Sequence, residues 1–293
     1  MAITAADVSK LRSATGAGMM DCKKALDEAN GDMDLAAEIL RKKGILKAAK
    51  RADKIAADGS TVVKATGDTA AIAEINAETD FVAKNDNFVK LVGDIADHLI
   101  ATKPSTLESA YQTTMNGKTV EEYLTGMAAN IGEKISLRRF NVVTKNSTQS
   151  FGAYVHMGGK MSVLVVLDGT TDENLAKEIA MHVAAANPKC IRRDEVDPTL
   201  ATKEQEIFSA QLKTQGKPEN IIVNILKGKM EKFYGEICLL EQPFIKNEDQ
   251  TVQKYLDSKG TGITVSKMIR YELGEGIEKN KTDFAAEVAE QLK

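Results

Sequence analysis

The chain has 293 residues, and its 39 basic against 42 acidic side chains leave a formal charge of -3. That balance argues against a polyanion as principal partner, because such proteins carry a strong excess of Lys and Arg. Aromatic residues make up only 5%, Trp is absent and Pro occurs five times, which favours helices over a β-sandwich or a stacking platform for single-stranded nucleic acid.

The length suits about two domains. Cys22, Cys190 and Cys238 are widely spaced and form no CxxC, so neither a disulfide framework nor a Cys-based zinc site is expected. The opening MAITAADVSK has no basic stretch leading into an apolar one, and no run approaches about 18 apolar residues. A cytoplasmic protein without a membrane span is the expectation.

Residues 4–44 read as three short helices. Val8 and Leu11 mark the first, which Gly16 and Gly18 close. Met19, Met20, Cys22, Ala25 and Leu26 populate the second. Asn30-Gly31-Asp32 is a stop followed by a cap. Leu35, Ile39 and Leu40 stripe the third, with Gly44 as its expected end. A core of about forty residues is marginal alone, so the module is expected to carry a binding face. Residues 41–54 hold seven Lys or Arg against one Asp. They read as a solvated helix and linker; contact with RNA or an acidic protein is the alternative.

An internal repeat follows. Thr61–Ala65, a turn at Gly67-Asp68 and Ala71–Ile75 form a hairpin, and a helix then carries Phe88, Leu91, Val92, Ile95 and Leu99. Residues 151–187 repeat this plan, with strands at 152–156 and 162–167 and a helix bearing Leu175, Ile179 and Val183. Gly132–Leu137 is the expected last strand of the first copy, and Gly235–Leu240 that of the second. Two such copies predict an α+β fold with two related subdomains, each a small antiparallel sheet covered by helices. Between helix and last strand, the second copy inserts two apolar-striped helices around Gln215-Gly216-Lys217-Pro218, an antiparallel helical hairpin whose spacing suits two-helix packing. In the tail, Val265, Met268 and Ile269 are expected on one helix, and Phe284 and Val288 on a last one.

Motifs for chemistry are lacking. HExxH, CxxC and GxSxG are absent, and His98 and His182 fall at matching points of the repeated helices, which favours a structural role. Gly117-Lys118-Thr119 has Gln112 where a P-loop needs Gly, and the NKxD match at 280–283 has no P-loop upstream. Gly16-Ala17-Gly18 follows a helix and so fails as a dinucleotide fingerprint. No cofactor, no metal and no direct nucleotide binding are expected. Thr79-Asp80-Phe81-Val82-Ala83-Lys84-Asn85 stands apart, because the second copy has no aromatic there. On one reading Thr79 or Asp80 caps the helix and Phe81 staples into the core. On the other, Phe81 is an exposed wedge with a carboxylate beside it.

With these residues the chain resembles the bacterial elongation factor Ts family. The resemblance rests on Leu11-Arg12, on Thr15–Leu26, on Asn30-Gly31-Asp32, on Thr79–Lys84, on Ile179–Ala185 and on Gly274–Lys279. It implies a guanine-nucleotide exchange factor, not an enzyme of covalent chemistry, whose partner is elongation factor Tu in its GDP-bound and nucleotide-free forms. It implies that Asp80 and Phe81 are the intruding pair, that the stretch Thr79, Asp80, Phe81 and Val82 dislodges Mg²⁺, and that Arg12, Met19 and Met20 meet the nucleotide domain. The corresponding organisation is a ubiquitin-associated-like module and basic linker over 1–55, and core subdomains over 56–147 and over 148–187 with 234–262. An inserted coiled coil at 188–233 and a C-terminal helical docking module at 263–293 complete it. A homodimer or a 2:2 complex stays open, as does a non-catalytic adaptor or chaperone-like role.

Overall fold

A computed structural model describes residues 3–278 apart from 52 and 217, and leaves aside the side chains of 47 and 220. The helix expected around Phe284 and Val288 and the NKxD match lie outside the described residues.

Three helices open the chain. Thr4 caps α1 (Ala5–Thr15) in a reciprocal box with Asp7. Next comes α2 (Met19–Glu28), and Asp32 caps α3 (Met33–Ala49) by accepting from the Leu35 amide. Val8, Leu11, Cys22, Ala25, Leu26 and Ala36 form their shared core. Two expectations are corrected here. Leu35 is exposed, and Ala36 takes the interior position. Nor does Gly44 end α3, which runs a further five residues to Ala49.

The first repeat copy comprises β1 (Asp58–Thr66), β2 (Thr69–Ala77), the single turn α4 (Asp80–Ala83) and α5 (Asp86–Thr102). α6 (Leu107–Gln112) leads into the hairpin of β3 (Thr114–Met115) and β4 (Lys118–Thr119), with Asn116 and Gly117 as its left-handed turn. Then come α7 (Val120–Ile131) and β5 (Ile135–Thr144). The strand order is β1-β2-β5. The role of Gly44 is now visible: a Cβ there would sit 2.6 Å from the Ala129 Cβ on α7, so glycine lets the two helices touch.

In the second copy, β6 (Gln149–His156) pairs antiparallel with β7 (Met161–Asp168), Phe151 facing Val166. Asp172 caps α8 (Glu173–Ala186). A Cβ at Gly152 would lie 2.0 Å from the Ala176 carbonyl oxygen, so glycine seats this helix on β6. The helical hairpin follows as α9 (Pro198–Thr214) and α10 (Glu219–Ile237), with Arg193 pairing to Glu231 and Glu241 at its base. β8 (Pro243–Phe244), β9 (Asn247–Thr251), α11 (Val252–Lys259) and β10 (Thr264–Glu272) complete the described chain, and the sheet order is β10-β7-β6.

The tail is therefore corrected. Residues 264–272 form a strand, not a helix: they pair beside β7, with Val265 and Met268 packed in one cluster and Ile269 and Tyr271 in another. It supplies the last strand of the second sheet. Residues 235–240, expected in that role, are the end of α10 and a short 3₁₀ turn. The repeat thus reaches further than the sequence reading had it. In each copy a two-stranded hairpin precedes a Thr-capped helix, Thr119-Val120…Tyr123-Leu124 in one and Thr251-Val252…Tyr255-Leu256 in the other.

The chain divides into two units, one of residues 1–61, 73–141 and 272–293, the other of 62–72 and 142–271. In the second, Val163, Val165, Leu167, Ile179, Val183, Leu239 and Phe244 anchor the main core. Among the described residues no helix is long and apolar enough to cross a membrane.

Candidate functional site

Adjacent residues on a helix point about 100° apart, so a single turn can bury one side chain while presenting its neighbour. α4 does this. Val82 is buried, whereas Phe81 is 78% exposed. The staple reading of Phe81 is thereby corrected: Phe88 on α5 fills the interior and Phe81 does not. Lys84 spans the site, bonding Asp80 Oδ2 at 2.9 Å and standing 5.9 Å from the Phe81 ring centroid.

Nor does Thr79 cap α4 with its side chain, although it occupies the N-cap position. Its hydroxyl donates instead to Glu133 Oε1 at 2.7 Å, and its amide donates to Glu133 Oε2 at 2.9 Å. The neighbouring Glu78 returns the contact. It accepts from the Lys134 amide at 2.6 Å, and Arg51 Nη1 donates to both its oxygens at 2.8 Å. Burial pushes the Glu78 carboxyl up, but the Lys134 amide and Arg51 outweigh that and hold it below the usual carboxylate range. Residues 78–79 and 133–134 are thus cross-braced by two carboxylates. Sequence reasoning named Thr79 to Val82 but missed Glu78, Glu133, Arg51 and Lys134; only the Gly132-Glu133-Lys134 run ahead of a strand hinted at them.

Of the N-terminal candidates, Met20 is 65% exposed, Met19 45%, and Arg12 is exposed in the last turn of α1. These three and Thr79–Val82 belong to the same unit.

The histidines have structural partners. His182 Nε2 donates to Gln242 Oε1 at 3.0 Å while Nδ1 accepts from the Ile245 amide at 3.2 Å, which fixes a neutral ring. His98 Nε2 pairs with Thr113 Oγ1 at 2.7 Å. Among the described residues no group of three His, Cys, Asp or Glu side chains is placed to hold a metal ion.

The geometry is thus an exposed aromatic ring on a short turn braced by two carboxylates. The family model for Elongation factor TS matches residues 78–275, about two-thirds of the chain, and the match begins at Glu78, one residue ahead of this site. The chain belongs to that family, and its role is in translation elongation, in nucleotide exchange. Arg12, Met19 and Met20 lie before the matched stretch.

Proposed function

We propose that the chain binds elongation factor Tu carrying GDP and speeds release of that GDP, allowing GTP to load. Thr79–Val82 is the acting element, and Phe81 is the side chain that enters the partner. The exposure of the Phe81 ring, 78% on a turn whose next residue is buried, carries this reading.

Magnitudes set the division of labour. A nucleotide held at nanomolar affinity is bound by about 12 kcal/mol. Fully burying one Phe contributes only about 1.5–3 kcal/mol. Phe81 therefore cannot expel GDP alone. A broad anchoring surface, with Arg12, Met19 and Met20 as its N-terminal part, supplies the binding free energy, and the ring converts some of it into distortion of the pocket. Displacing Mg²⁺ leaves phosphate charge less neutralised, which loosens the nucleotide. The coupling is reciprocal, so GDP must weaken the partner's grip on this chain by the same factor.

Stopped-flow release of a fluorescent GDP analogue from elongation factor Tu tests the assignment. Phe81→Ala should keep most partner affinity while losing roughly ten- to hundredfold of the stimulation, the equivalent of one Phe burial. Wild-type stimulation by that variant would reject the assignment. Failure to form a complex with nucleotide-free elongation factor Tu would favour the adaptor role instead.

A further inference from the structure

A single helical turn does not hold its own orientation, because nucleating a helix fixes several residues for one hydrogen bond. α4 has only four residues. The residue best placed to stabilise it locally is Thr79, whose extended backbone (φ -128°, ψ 157°) suits an N-cap. Its hydroxyl nevertheless goes to Glu133. The cap is given up for a contact with a segment 54 residues away. The long helices of both copies keep ordinary caps, Asn85 accepting from the Asn87 amide on α5 and Asp172 from the Asn174 and Leu175 amides on α8; α4 is an extra turn of the first copy alone. The second copy carries no aromatic at that point.

We propose that Glu133 is a positioning residue for nucleotide exchange: by taking both the amide and the hydroxyl of Thr79, it holds α4 in the orientation that points Phe81 outward. This rests on the exchange reading of Phe81 given above. Charge-assisted hydrogen bonds are the stronger kind and demand a defined direction, so a bidentate carboxylate sets the azimuth of the turn as well as its place. Glu78 completes the brace from the other side through the Lys134 amide. Losing the brace leaves the binding surface intact but lowers the fraction of molecules with the ring correctly aimed, which lowers the maximal rate more than the affinity.

The test uses the full chain and elongation factor Tu loaded with a fluorescent GDP analogue, with exchange measured against factor concentration. Glu133→Ala should lower the maximal rate by about tenfold and shift the half-saturating concentration by less than about twofold. Glu133→Gln should restore most of the rate, because its carboxamide oxygen accepts from the Thr79 amide and its NH₂ donates to the hydroxyl oxygen. In a Phe81→Ala background, Glu133→Ala should cost nothing further, since its effect runs through the ring. Circular dichroism checks that each variant folds; should Glu133→Ala not fold, Thr79→Val removes the hydroxyl alone and should give a smaller loss in the same parameter. A normal maximal rate in Glu133→Ala, a pure loss of affinity, or an additive loss on top of Phe81→Ala overturns the inference. Should Phe81→Ala be impaired and Glu133→Ala not, only the positioning role falls. If Phe81→Ala is unimpaired, the exchange reading falls and takes this role with it.

Discussion

Glu74 is a fully buried carboxylate at the centre of an ion-pair network in the first unit. Its side chain is 0% exposed, and Arg138 Nη1 at 3.0 Å, Arg139 Nε at 2.6 Å, the Gly274 amide at 2.9 Å and Asn76 Nδ2 at 3.1 Å all donate to it. The same arginines reach on to the carbonyls of Glu272 and Glu275, so the carboxylate fastens the loop after β10 to β2 and β5. Breaking a buried pair by removing one partner costs about 3–5 kcal/mol. The guanidiniums are 28% and 29% exposed and can rehydrate in part. Glu74→Ala should therefore fall at the lower end, about 3 kcal/mol, lowering Tm by roughly 6–12 °C for a cooperative unit of this size. Glu74→Gln separates charge from volume. Burial pushes the Glu74 carboxyl up, but the Gly274 amide, Arg138, Asn76 and Arg139 outweigh that and hold it below the ordinary 4.5. A depressed carboxylate contributes stability that is complete above its unfolded value and is lost as pH falls through its folded one. Thermal melts followed by circular dichroism should show the wild type and Glu74→Gln furthest apart near neutrality and converging below pH 4.5. A gap that stays constant with pH, or a Tm loss in Glu74→Ala under about 2 °C, would refute the reasoning.

Two smaller perturbations follow from packing and burial. Gly44→Ala gains about 1 kcal/mol of helix propensity but forces Cβ atoms together on α3 and α7, an overpacking cost of about 1–3 kcal/mol, so a net loss is expected. Adding Ala129→Gly should recover it, and denaturant midpoints would measure both. Burial pushes the His182 imidazole below its ordinary 6.5, only partly offset by Gln242, so the folded ring stays neutral where the unfolded one takes a proton. Stability should thus decline as pH falls through and below 6.5, with the His182 ring resonances titrating at a midpoint below that value in an NMR titration.

The hairpins at 58–77 and 149–168 were legible because β-branched residues flank clear turn signals at Gly67-Asp68 and Gly158-Gly159. β10 was not. Val265, Met268 and Ile269 fall at helical spacing by chance, and a strand covered on both faces shows no clean alternation to contradict it. Gly44 was misread because its reason for being glycine, Ala129, sits on another element. The fuller repeat is written in the sequence, since Thr119-Val120 and Thr251-Val252 each precede Tyr-Leu at the same spacing, but the Gly-Glu runs at 132 and 235 mimic a matching pair. For the candidate site, the sequence singled out Thr79–Val82 but left open which side chain turns inward. A one-turn helix has no periodicity to settle that, and the Glu133 partner is a tertiary fact.

The duplicated architecture sharpens the functional reading. Both copies build a hairpin, a helix, a second small hairpin, a Thr-capped helix and a closing strand. Shared parts of that kind are explained by the need to cover a sheet, and they recur whether or not a partner exists. Where the copies part company, folding has no such claim. In the second copy the chain passes from β7 to α8 through a conventional Asp cap. In the first it inserts an extra turn before α5, exposes an aromatic ring that a stable core would have taken in, and spends the Thr79 hydroxyl on a distant carboxylate. Each of these choices gives up local stability. An exposed Phe forgoes burial worth about 1.5–3 kcal/mol, and a missing cap forgoes about 1 kcal/mol. Departures that cost a fold something and cluster within a few residues are expected at functional or strained sites, and here they support the proposal that Thr79–Val82 acts on a partner.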